Sequence, residues 1–157
     1  MEESDRRFLV RAIQLARENV VTGGGPFGAV IVKNGTVIAE SVNQVIAIPD
    51  PTAHAEIQAI RLAAGYLNSF DLTGTTLYTS CEPCPMCLGA VYWSRISRVV
   101  YAADRHDAED AGFRDAELYR EIALEPHQRG TAFEHLDLPD SGQEFTEWKN
   151  SDIKLDY

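Results

Sequence analysis

The chain has 157 residues, 45% hydrophobic and 24% charged, the make-up of one soluble globular domain with a continuous core. Asp plus Glu number 24 against 14 Lys plus Arg, and the formal charge of −10 repels a polyanion, which argues against DNA or RNA as the main substrate. No apolar run approaches the ~20 residues of a membrane span, the first residues carry charge where a secretion signal would be apolar, and three closely spaced cysteines suit a metal in a reducing compartment better than a disulfide framework; a cytoplasmic protein is expected.

Residues 5–20 place Phe8, Leu9, Ala12, Ile13, Leu15 and Ala16 near helical spacing, with Arg and Glu between them. Gly23-Gly24-Gly25-Pro26 stops this helix. No G-x-x-x-x-G-K-[ST] pattern accompanies the glycines, so they read as a loop and not as a phosphate cradle. Two Val- and Ile-rich strands, 27–33 and 36–43, flank Asn34-Gly35, which predicts a type I′ hairpin. A loop with Pro49-Asp50-Pro51 leads to a helix over 53–64. A strand follows at 75–79, a helix at 84–95 with Pro85 in its first turn, and a strand at 98–103. A short helix over 116–123, a fifth strand over 131–136 and a last helix over 141–150 complete the chain. This order predicts an α/β fold: a three-layer α/β/α sandwich around a five-stranded mixed sheet, with one antiparallel hairpin and the remaining strands parallel. A single domain, 1–157, is expected.

The chemistry concentrates in two short stretches. Ser80-Cys81-Glu82-Pro83-Cys84-Pro85-Met86-Cys87 holds all three cysteines, and His54-Ala55-Glu56 lies thirty positions before Cys84. Cys84 and Cys87 are spaced so that both thiolates can meet one ion, at a helix start where free N–H groups favour negative sulfur. His54 supplies a third ligand. Two thiolates and a neutral imidazole balance Zn²⁺, and three protein ligands leave one position for water, as in catalytic zinc sites. In mid-helix, residues 54 and 56 would face apart by about 200°. With His54 at the helix start and the ion beyond it, Glu56 can instead act as general base on the water. A closed structural zinc using Cys81 as fourth ligand is the plainer alternative, and an iron–sulfur cluster lacks its fourth cysteine.

An H-x-E opening one helix and a P-C-x-x-C opening the next form the signature of zinc nucleobase deaminases. The chain resembles the cytidine deaminase-like superfamily, and within it the small zinc-type guanine deaminases of bacteria. The resemblance rests on the 24–33 stretch, Asp50–Glu56, Ser80–Ala90, Tyr92-Trp93, Tyr101-Ala102-Ala103, Ala111-Gly112-Phe113 with Asp115, and Tyr157. It implies zinc held by His54, Cys84 and Cys87, with Glu56 as proton shuttle. It further implies that Phe27 stacks on the base, Asn43 hydrogen-bonds it, Trp93 lines the pocket, and Asp115 contacts the purine edge and aids a second proton transfer. A homodimer is implied in which segment 141–157 is exchanged and Tyr157 closes the partner's site. Arg114 stands where a member of that family carries an acidic residue. Taken alone, these residues have plainer readings: Asn43 a turn residue, Phe27 and Trp93 core aromatics, Asp115 a helix N-cap, Tyr157 a chain end.

The expected reaction is hydrolytic deamination of guanine to xanthine and ammonia. A deaminase of another small amino-heterocycle (guanosine, cytosine or cytidine), a tRNA adenosine deaminase, and a non-catalytic zinc assembly protein share parts of the signature. A tRNA substrate calls for a cationic surface that a charge of −10 does not favour.

Overall fold

Positive backbone φ at two adjacent residues turns the chain back on itself early. Asn34 (φ 51°) and Gly35 (φ 75°) form the tight turn between β1 (Gly28–Lys33) and β2 (Thr36–Val42), as a type I′ hairpin requires. The structure, a computed structural model, describes residues 3–155. Before the hairpin comes α1 (Glu3–Val21); after it come α2 (Ala55–Leu67), β3 (Thr75–Cys81), α3 (Pro85–Trp93) and β4 (Arg98–Ala103). The chain continues through α4 (Arg105–Asp110), α5 (Asp115–Ile122), a 3-10 turn at Pro126–Gln128, and α6 (Gln143–Asn150).

The strands form one mixed sheet in the order β2-β1-β3-β4. β1 is antiparallel to both β2 and β3, while β3 and β4 run parallel. The expected parallel pairing of the third and fourth strands holds. The expectation of a single antiparallel pairing does not: α2 returns the chain so that β3 points along β2 yet inserts beside β1. One strand therefore opposes all the others.

The sheet has four strands among the described residues, not five. Residues 131–136 adopt no regular structure. Their large apolar side chains, Phe133 and Leu136, are exposed, and Glu134 and His135 stand between them. Nothing on this segment supplies a buried face to hold it against the sheet edge. Conversely, α4 forms over Arg105–Asp110, where the element order read from the sequence has no helix. Asp104 caps it, accepting from the His106 and Asp107 backbone N–H groups, and the Asp107 side chain returns the bond to Asp104 N.

Both faces of the sheet are covered, which is why β1 reads as an unbroken apolar run. On one face Phe8, Ala12 and Leu15 of α1 pack on Val30, Val32 and Tyr78. On the other, Ala55, Ala59 and Ala63 of α2 and Val91 of α3 pack on Ala29, Ile31 and Leu77. The small residues on α2 bring it close to the sheet. Gly28 does the same for α1: a Cβ built there would lie 2.3 Å from the Ala12 carbonyl oxygen. The N-terminal ends of α2 and α3 are thereby held side by side, with α3 following the carboxyl end of β3, where open α/β sheets place their ligands. No helix among the described residues is long and apolar enough to cross a membrane.

A candidate metal centre and active-site pocket

His54 and Cys84 are both N-cap residues. Each has extended backbone, φ −66° and ψ 155° for His54, φ −64° and ψ 167° for Cys84, and neither side chain caps its own helix. Both side chains are thus free to turn across the gap between the helix ends. Pro85 sits at the first helical position of α3, where its missing N–H costs nothing. Cys87, two positions further, faces the same gap. His54 Nδ1 lies 3.6 Å from both the Cys84 and the Cys87 sulfur.

These distances test the fit to zinc. A tetrahedral ion with Zn–S of about 2.3 Å and Zn–N of about 2.05 Å separates ligand nitrogen from ligand sulfur by roughly 3.6 Å. The donor atoms of His54, Cys84 and Cys87 lie within 4.8 Å of one another. Hydrogen bonding from Cys87, and then from His54, pulls the Cys84 thiol down to about 4. Cys87 is pushed up in turn, by its bond to Cys84 and by burial. The His54 imidazole is raised, first by its bond to Cys84. This sharing of protons is what three crowded donor groups do, and a divalent ion would displace them. Cys81 stands apart from the group: its sulfur meets the Asp104 carbonyl oxygen at 3.5 Å, and burial raises its thiol to about 12. The donor set is therefore two cysteines and one histidine.

Glu56, the second residue of α2, points into the same gap. It is only 4% exposed. Thr79 Oγ1 donates to one carboxylate oxygen at 3.2 Å, and Cys87 Sγ lies 3.5 Å from the other. Burial raises its pKa. The angular conflict between His54 and Glu56 is thus relieved as the spacing requires, because His54 stands outside the helix.

His54, Glu56 and Cys84 open into a cavity of about 460 Å³ lined also by Phe27, Asn43, Val45, Ile46, Pro51, Glu82, Phe113 and Asp115. Of the residues singled out from sequence, His54, Cys84, Glu56, Phe27, Asn43 and Asp115 line it together, and Cys87 lies buried behind them. Asn43 is a turn residue as well: its Oδ1 accepts from Val45 N at 3.2 Å. Asp115 is not an N-cap but the first helical residue of α5, after Arg114. Its pKa is raised, chiefly by burial and next by the negative charge of Cys84.

Trp93 is not brought to this cavity. It lies at the far end of α3, 69% exposed, on a separate apolar groove shared with Ile60, Phe70, Met86 and Trp148. The reason is helical phase: Trp93 shares one face of α3 with Met86, Gly89 and Ala90, which line that groove, about 120° around the axis from Cys87. Tyr157 lies outside the described residues. No described residue beyond Asp115 lines the cavity.

Several contributing residues carry no motif of their own. Asn19, at the end of α1, donates to the Gly25 and Asn43 carbonyl oxygens at 2.8 and 2.9 Å, fixing the loop beneath Asn43. Phe113 meets Phe27 edge to face, with ring centroids 4.8 Å apart at 80°. Phe113 lies in the stretch Ala111-Gly112-Phe113 that supports the family resemblance, which gives it no role in the site. Nothing in the sequence pointed to Asn19.

The model of the cytidine and deoxycytidylate deaminase zinc-binding region matches residues 2–103. A guanine deaminase of Bacillus subtilis is 50% identical over 151 residues, 96% of this chain and 97% of that one. The X-ray structure of guanine deaminase from Bacillus subtilis superposes with a TM-score of 0.94 at 49% identity, covering 100% of this chain and 99% of that one. A tRNA-specific adenosine deaminase of Buchnera aphidicola is 48% identical over 103 residues, 66% of this chain and 64% of that protein.

Proposed function

Since the chain belongs to the family that carries the cytidine and deoxycytidylate deaminase zinc-binding region, we propose that it is a zinc-dependent aminohydrolase converting guanine and water to xanthine and ammonia. The observation that carries the choice of base is coverage. Similarity to the guanine deaminase runs through 96% of the chain, whereas similarity to the tRNA deaminase stops at 66%. The acidic charge supports the same choice.

His54, Cys84 and Cys87 would hold the zinc, which when bound supplies a Lewis acid that lowers the pKa of a water to about 7. Glu56 takes a proton from the attacking water and returns it to the ring nitrogen beside C2 of guanine. Burial raises its pKa above the ordinary carboxylate value, the direction that suits a group which accepts and then returns a proton. Thr79 holds one carboxylate oxygen, so the other faces the reacting atoms in a fixed direction. Asp115, also raised, relays the second proton that lets ammonia leave. Phe27 stacks on the purine and Asn43 hydrogen-bonds its edge. The apolar wall of Val45, Ile46, Pro51 and Phe113 keeps competing water away from these donors. In this reading the enzyme serves purine salvage or catabolism in the cytoplasm.

The proposal includes a homodimer that exchanges segment 141–157, bringing Tyr157 to the partner's cavity. Two features support it. The cavity has no wall from the described C-terminal residues of its own chain. The apolar side chains of that end, among them Phe145 and Ile153, are exposed. Trp93 belongs to the dimer contact in this reading, and not to the base pocket.

Incubating the zinc-loaded protein with guanine, guanosine, cytosine, cytidine, adenine and a tRNA anticodon stem, and measuring ammonia, tests the assignment. Release from guanine well above the others is expected. Activity on another substrate with none on guanine overturns the choice of base, and a zinc-replete protein silent on all of them is a zinc assembly protein.

A further inference from the structure

Glu56, Glu82 and Asp115 all line the cavity. Glu82 does not present a bare carboxylate there. It is 15% exposed at the side chain and accepts three bonds from one residue: Arg105 N at 3.2 Å, Arg105 Nε at 2.9 Å, and Arg105 Nη2 on the other oxygen. The backbone locks this fork in place, because Glu82 N donates to the Ala103 carbonyl oxygen at 2.9 Å. The other side of the Arg105 guanidinium lies 3.6 Å from the Tyr119 ring centroid. Tyr119 in turn donates from its hydroxyl to the Pro83 carbonyl oxygen at 2.7 Å. Glu82 and Pro83 directly precede the ligand Cys84. Tyr119 follows Asp115 by four residues on α5, one turn along the same helix face.

The cavity thus has two sides with separate origins. One is the loop from β3 into α3, which delivers Cys84. The other is α5, which delivers Asp115 and is joined along the chain to β4 by the short, solvent-facing α4. We infer that Arg105 is a positioning residue: it brackets the Glu82-Pro83 loop to Tyr119 and so sets Asp115 at its working distance from the metal centre. A lysine cannot replace it, since a point charge neither forks onto a carboxylate nor lies flat on a ring. Arg105 itself touches neither the metal ligands nor the base. The inference rests on Asp115 being a substrate contact in the proposed deaminase.

The test is a double-mutant cycle of Arg105→Ala and Asp115→Ala, with zinc per chain measured throughout. Arg105→Ala is expected to retain zinc and to lower kcat/KM about tenfold or more. Arg105→Lys recovers little of that, and Arg105→Ala has no further effect in the Asp115→Ala background. Full activity in Arg105→Ala, full recovery by lysine, or independent effects of the two substitutions overturn the inference. The cycle is read with whichever base the wild type deaminates, so a wrong choice of guanine does not decide it. A second readout needs no turnover: amide exchange in Asp115–Ile122 should be faster in Arg105→Ala than in the wild type, while exchange in β1 and β3 is unchanged. Equal protection of α5 in both proteins also overturns it.

Discussion

At the scale of single residues, the site depends on side chains whose surroundings contradict their usual state. A carboxylic acid such as Glu56, almost fully buried, is normally a liability. Here burial raises its pKa and Thr79 holds it, which fits a group that carries a proton back and forth. Glu56→Gln keeps the volume and removes the base. It is expected to retain about one zinc per chain, by elemental analysis, while kcat falls by roughly 10²- to 10⁴-fold. Cys84→Ser should lose the metal as well as the activity, because a hydroxyl is a poor substitute for thiolate. Activity surviving in Glu56→Gln would assign the proton transfer elsewhere.

Elements are placed by a few contacts that can each be broken. α1 meets the sheet through Gly28, and a methyl group there would meet backbone, not a flexible side chain. Gly28→Ala should therefore destabilise by about 1–3 kcal/mol, read as a lower urea midpoint. The start of α1 is tied down by Asp5, 2% exposed, which accepts from the Tyr78 hydroxyl and from Arg98, each at 2.7 Å. Burial first, and the bond to Asp5 second, push the Tyr78 phenol up to about 12. An unfolded tyrosine titrates near 10. The folded state therefore keeps this proton more tightly, and the stability it contributes is complete below pH 10 and lost as pH rises through 12. Between pH 9 and pH 11.5, approximately, wild type should lose more stability than Tyr78→Phe. Equal losses would show that Tyr78 does not hold its proton in the folded state. At neutral pH, Tyr78→Phe costs about 1 kcal/mol, the worth of one such bond.

For the whole molecule, the question is what covers the apolar surface left by one chain. Phe70, Trp93, Trp148, Ile153 and Leu155 share a groove along α2 and α3, and Phe145 is exposed on α6. Such surface on a domain of charge −10 fits a self-complementary apolar contact better than a polyanionic partner. Under the proposed exchange, deleting residues 151–157 should raise KM for guanine and lower kcat, with zinc content unchanged. Sedimentation should show a dimer for the full chain and a weakened one for the truncated chain. Unchanged kinetics would make the C-terminus a tail and not a lid.

The sequence by itself determined the parts of this protein that depend on local chemistry. Asn34-Gly35 specifies the hairpin because few residue pairs tolerate positive φ at two adjacent positions. His54-Ala55-Glu56 and Cys84-Pro85-Met86-Cys87 specify two helix starts whose caps point outward, so three candidate ligands were legible from spacing, while the fold set Cys81 apart from them. What only the tertiary structure decided depends on partners distant along the chain. The segment 131–136 has strand-like residues but no buried face, so it stays outside the sheet. Trp93 follows the ligand motif closely in sequence, yet its place around the α3 axis turns it to another surface. Arg105 reads as one more charge in a charged run. Its work is visible only once the fold lays its guanidinium between Glu82 and Tyr119, because an ion pair or a stacked ring is a relation between elements and leaves no periodicity in either.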